Sequence, residues 1–114
     1  MTLPEEGYLL RIFLGESDRK GSQPLYEWLV LQARQAGLAG ATVIRGMMGF
    51  GAHSRIHTAK ILRLSEDLPI VIEIVDKPER IQLILPELEG IMKDGLITLE
   101  DIRVIAYRHN SEKI

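Results

Sequence analysis

The chain has 114 residues, 46% of them hydrophobic and 26% charged, with a formal charge of −2 when the histidines are neutral. That is one domain, able to bury roughly 60–68% of its unfolded surface, and its composition is not that of a disordered chain. The acid–base balance gives no basic footprint for nucleic acid or an anionic membrane. No apolar run reaches the ~18 residues of a membrane helix, and the N-terminus lacks a basic-then-apolar signal peptide. Without cysteine there are no disulfides and no thiolate nucleophiles or metal ligands. A cytoplasmic protein is expected.

In chain order, Tyr8–Leu14 is a short apolar run closed by Gly15, which reads as a buried strand. Asp18–Ser22 is a polar turn, and Pro24 suits a helix's first turn. Leu25, Trp28, Leu29, Ala33 and Ala36 then recur at helical spacing before Gly37, a natural C-cap. Ala41–Met47 reads as a second strand, followed by a glycine-punctuated loop and Lys60–Leu64 as the returning arm of a hairpin. Ile70–Val75 is a third strand, rich in β-branched residues. Asp76 and Glu79 are spaced as a capping box, and Ile81, Ile84, Leu85, Leu88, Ile91 and Met92 form one apolar stripe. Pro86 inside that stripe is expected to kink or split the helix. Gly95 ends it, and Ile102–Tyr107 is expected as the last strand.

The order strand, helix, strand, strand, helix, strand is the split βαβ, ferredoxin-like motif, an α+β fold. It places two helices on one face of an antiparallel sheet whose strand order is fourth, first, third, second. Alternation sends Leu10, Ile12, Leu14, Ile70, Ile72, Ile74, Ile102, Val104 and Ala106 beneath the helices. The opposite face receives Leu9, Arg11, Phe13, Val71, Glu73, Val75, Arg103, Ile105 and Tyr107. A sheet covered on one side normally shows a polar second face. Here that face stays largely apolar, so it is expected to be an interface between copies. Arg103, Arg11, Glu73 and Arg45 are expected on successive strands there, with Arg11 and Glu73 forming a structural ion pair.

The polar, glycine-rich segment Arg45–Thr58 is the densest candidate for chemistry. Its glycines allow several N–H groups to meet one anion, with Ser54, Arg55 and Thr58 as further donors. The spacing matches neither GxxxxGK[ST] nor GxGxxG, and a plain hairpin loop explains it equally well. His53 and His57 have i, i+4 spacing, which clusters imidazoles only on a helix, so a metal site is not expected. Ser54, His57 and Asp67 could be assembled on paper into a nucleophile system, but no GxSxG elbow surrounds Ser54, and no catalytic residue is assigned. An acylphosphatase-like phosphohydrolase needs a phosphate-cradling loop after the first strand. The loop here, Gly15–Gly21, carries two acids, Glu16 and Asp18, that repel phosphate unless neutralised.

Several runs together resemble the DUF190 (UPF0166) family of PII-like proteins. They are residues 10–18 (LRIFLGESD), 24–27 (PLYE), 36–43 (AGLAGATV), 49–51 (GFG), 54–58 (SRIHT) and 73–76 (EIVD), and the match covers about residues 7–108. The resemblance implies a single PII-like domain assembled as a homotrimer through its uncovered sheet faces, and a signalling protein rather than an enzyme. It implies an adenine nucleotide as ligand in clefts between subunits, with no cofactor required, and a loop over residues 49–68 that reports occupancy to a partner. Carried over by position, the nucleotide contacts are Arg45, Gly46, Gly49, Phe50, Gly51, Ser54, Arg55, Asp94, Gly95 and Arg108.

Leu96 stands where nitrogen-regulatory PII proteins place a lysine after the Asp-Gly pair, and no tyrosine occurs between Tyr26 and Tyr107. These departures count against ATP, 2-oxoglutarate and uridylylation and leave AMP or ADP as the expected ligand. The family's association with fluoride-exporter-type proteins makes a membrane transporter or exporter a candidate partner. The alternatives are a trimer resembling CutA, binding a divalent metal through His53 and His57, and the small phosphohydrolase.

Overall fold

The structure is a computed structural model, and it describes residues 6–50 and 67–108. β1 (Glu6–Gly15) is the central strand and leads into a short hairpin, β2 (Arg19–Lys20) and β3 (Gln23–Pro24). Then come α1 (Leu25–Gln35), β4 (Thr42–Arg45), β5 (Pro69–Asp76), α2 (Pro78–Ile91) and β6 (Leu96–Arg103). The four long strands form one sheet in the order β4-β5-β1-β6, each neighbouring pair antiparallel. This is the expected α+β, ferredoxin-like order.

The core follows from alternation on the two central strands. Leu10, Ile12 and Leu14 of β1 and Ile70, Ile72 and Ile74 of β5 are buried, against Leu25, Leu29 and Ala33 of α1 and Ile81 and Leu88 of α2. Each buried leucine or isoleucine contributes about 1.5–3 kcal/mol through burial, which makes this layer the main source of stability. Gly37, in the left-handed region at φ 78°, ends α1 as expected.

The last strand differs from expectation. It occupies Leu96–Arg103, and Val104–Arg108 lie beyond it. Gly95 adopts φ 131°, and a Cβ there would lie 2.5 Å from the Phe13 carbonyl oxygen. That turn brings Leu96 opposite Phe13 at once, and pairing then runs along β1 to Glu6–Arg103. Ile97 and Leu99, opposite Ile12 and Leu10, therefore face the helices in place of Ile102, Val104 and Ala106.

Three smaller corrections concern local chemistry. Asp76 does not cap α2: Lys77 holds the N-cap position without a side-chain cap bond, while Asp76 remains in β5, fully buried. α2 continues through Pro86, whose exposed position leaves the buried Ile81 and Leu88 to anchor the helix on either side. β4 is shorter than Ala41–Met47, and the expected arm Lys60–Leu64 lies outside the described residues.

Candidate functional site

β1 and β4 finish at the same end of the sheet, where β5 and β6 begin, so four segments meet there. Backbone bonds tie them together. The Glu16 N–H donates to the Leu68 carbonyl (2.8 Å) and the Gly46 N–H to the Pro69 carbonyl (2.7 Å). Glycine favours these approaches: a Cβ at Gly46 would clash at 2.7 Å from Pro69 Cγ, and one at Gly49 would be tight, 3.1 Å from it. Gly95, fitted against Phe13, belongs to the same end.

The acids in and beside the turn after β1 (Glu16 and Asp18, with Asp67 from just before β5) are held in distinct ways. Asp18 accepts the Gly15 N–H (3.0 Å), and Asp67 accepts the Ser17 N–H (3.1 Å). Glu16 Oε2 instead lies 3.2 Å from Arg45 Nε. Arg45 pairs in register with the buried Ile70, so it stands on the helix side of the sheet and not in the expected row with Arg11 and Glu73. Just beyond it, Met47, Met48 and Phe50 are exposed. The end therefore combines close-packed glycine backbone, an exposed guanidinium and apolar side chains, a combination that suits an anion joined to a flat apolar group.

Of the expected nucleotide contacts, Arg45, Gly46, Gly49 and Phe50 lie at this end beside β4, while Asp94 and Gly95 lie at the same end beside β6, on the opposite edge of the sheet. Arg108 is not among them. Its neighbour Tyr107 sets its O–H 3.5 Å from the Ala39 carbonyl, and the Ala39 N–H donates to Asp76, which is paired with Tyr8 at the opposite end. Tyr8 to Gly15 spans roughly 23 Å of strand at about 3.3 Å per residue. Gly51, Ser54, Arg55, His53 and His57 lie outside the described residues. Among the described residues no group of three or more His, Cys, Asp or Glu is placed to hold a metal ion, and no helix is long and apolar enough to cross a membrane.

On the sheet face away from the helices, Leu9, Phe13, Val71 and Val75 are half-buried, and Ile44 and Leu96 are exposed. Arg11 Nε bonds Glu73 at 2.9 Å, as alternation predicts, and its Nη1 bonds Glu100 at 2.6 Å. The hydrogen bond to Glu73 raises the Arg11 pKa; desolvation opposes it, and the charges of Glu100 and Glu73 add to the rise, so Arg11 stays charged throughout the working range. Arg103, Ile105 and Tyr107 do not join this face. Arg103 pairs with Glu6 on the helix side, and Ile105 and Tyr107 lie past the strand's end. Their places are taken by Leu96, Thr98 and Glu100, which the register sets opposite Phe13, Arg11 and Leu9. The missed residues follow from one missed start: had the strand been begun after Gly95, alternation would have found them.

The family model DUF190, described as "Uncharacterized ACR, COG1993", matches residues 7–104. A UPF0166 protein of Aquifex aeolicus is 43% identical over 97 residues, covering 85% of this chain and 91% of that protein. UPF0166 protein MJ1524 of Methanocaldococcus jannaschii is 36% identical over 97 residues, covering 84% of this chain and 89% of that one. Among solved structures, CPII of Thiomonas intermedia K12, a nitrogen regulatory PII-like protein bound to ADP, AMP and bicarbonate, has the same fold. It aligns with a TM-score of 0.65 at 18% identity, over 90% of this chain and 97% of that one. With the family model spanning most of its length and relatives this similar, the chain belongs to the DUF190 (UPF0166) family and has a PII-like fold.

Proposed function

We propose that this protein is a cytoplasmic, non-enzymatic PII-like regulator that binds an adenine nucleotide, AMP or ADP, in clefts between the subunits of a homotrimer. The observation that carries the reading is the glycine-rich end of the sheet, with Arg45 exposed beside it, in a fold that CPII also has while bound to ADP and AMP. The uncovered sheet face, apolar around the Arg11–Glu73–Glu100 cluster, supports self-association. A single subunit holds Arg108 and Gly46 at opposite ends, so a cleft that uses both is built from two copies.

In this reading Arg45 takes a phosphoryl group together with Arg55 and Ser54, while Gly46, Gly49 and Gly51 offer backbone N–H groups. Phe50 packs on the base, Asp94 and Gly95 close the cleft, and Arg108 comes from the neighbouring subunit. Residues 49–68 face the partner, a membrane transporter or exporter, and the nucleotide shifts them only through different affinities for two arrangements. The metal-binding and phosphohydrolase readings draw no support from the described residues. Isothermal titration with AMP, ADP, ATP and cyclic dinucleotides tests the proposal. Saturable heat with AMP or ADP is expected, and absence of heat and of thermal protection with all four would remove the nucleotide from it.

A further inference from the structure

The ion pair between Glu16 and Arg45 differs in kind from the hydrogen bonds that Asp18 and Asp67 make with the turn after β1. Asp18 and Asp67 bind backbone N–H groups of the turn itself, whereas Glu16 reaches the side chain of another strand, 3.2 Å from Arg45 Nε. The two partners are not equally held. Glu16 is 26% exposed, and its own N–H is fixed on the Leu68 carbonyl, while the Arg45 side chain is 60% exposed. A competing anion therefore moves the guanidinium and leaves the carboxylate in place. Exposed pairs of this kind contribute little to stability, so displacement is cheap.

Resting on the nucleotide reading above, we propose that Glu16 is a specificity-determining residue: its carboxylate holds Arg45 until a phosphoryl oxygen displaces it, and the carboxylate left behind disfavours the more highly charged nucleotides. Each added phosphoryl group brings more negative charge near a fixed acid, so the penalty grows from AMP to ADP to ATP. The acids that the sequence marks as repelling phosphate thus split into two kinds: Asp18 is engaged by its own turn, and Glu16 grades the ligand by charge.

Titration of the full chain and of Glu16→Gln with the three nucleotides provides the test. The variant is expected to bind AMP about two- to fivefold more tightly, with a larger gain for ADP and the largest for ATP. Glu16→Asp, which withdraws the carboxylate from Arg45 by one methylene, should give a smaller gain in the same order. Glu79→Gln removes the same charge at the exposed start of α2, at the opposite end of the sheet, and should change nothing. In an Arg45→Gln background, Glu16→Gln should lose its effect on AMP.

Equal affinities for the parent and Glu16→Gln, or the same gain from Glu79→Gln, would overturn the inference. Pyrophosphate titration followed through the Arg45 Nε–H resonance separates this inference from the nucleotide reading. If no nucleotide binds but pyrophosphate shifts that resonance at lower concentration in Glu16→Gln, the nucleotide reading and the grading of nucleotides fail, while the hold of Glu16 on Arg45 against a phosphoryl anion stands. If pyrophosphate leaves the resonance unmoved in both proteins, the role of Glu16 fails.

Discussion

At the Tyr8–Asp76 end of the sheet a buried carboxylate joins three stretches of chain, whereas at the Gly15–Pro69 end glycines let backbone and a proline ring close together. Asp76, 0% exposed, accepts the Ala39 N–H (2.8 Å) and the Lys77 N–H (2.6 Å), and Arg80 Nε lies 3.5 Å from it. Arg80 also donates to the Gly37 carbonyl, so the loop after α1 and the start of α2 are locked to β5. The other end depends on absent side chains at Gly46, Gly49 and Gly95, and its acids stay near the surface. One end is held by side-chain bonds and resists change; the other exposes Arg45, Met47, Met48 and Phe50 and is suited to meeting a ligand.

Substitutions at the two ends should separate these roles. Asp76→Ala is expected to have the largest effect, about 3–5 kcal/mol lost in urea unfolding, because a buried charge network loses its centre. A loss below about 1 kcal/mol would mean that Asp76 does not hold that end. Gly46→Ala should cost about 1–3 kcal/mol, since its methyl group meets the Pro69 ring at 2.7 Å and the ring has no free rotor to move aside. An unchanged melting temperature would show that the approach can relax. Asp18→Ala should cost only about 1 kcal/mol, one backbone hydrogen bond in a partly exposed turn. If it equalled Asp76→Ala, the contrast between the ends would disappear.

The central strands were readable in the sequence because both their neighbours and one of their faces constrain them. Leu10, Ile12, Leu14, Ile70, Ile72 and Ile74 alternate without exception, and that alternation alone supplies the core face and the Arg11–Glu73 pair. The edge strands were harder. β6 has a neighbour on one side only, so five of its eight residues are exposed and acids are tolerated at Glu100 and Asp101. The more apolar Ile102–Tyr107 run therefore reads more like a strand than Leu96–Arg103 does. Asp76 reads as a helix cap in the sequence because capping spacing carries no information about burial in the preceding strand.

The site was readable in part. The glycines and Arg45 stand out locally, but the Glu16 contact joins residues far apart in the chain, and no local pattern encodes it. The placement of Arg108 likewise depends on where β6 ends.

Native mass spectrometry of the full chain with AMP or ADP tests the central claim most directly, because one spectrum reports assembly and occupancy together. Trimers carrying up to one nucleotide per chain are expected; single chains without nucleotide, at micromolar protein and saturating ligand, would contradict the account.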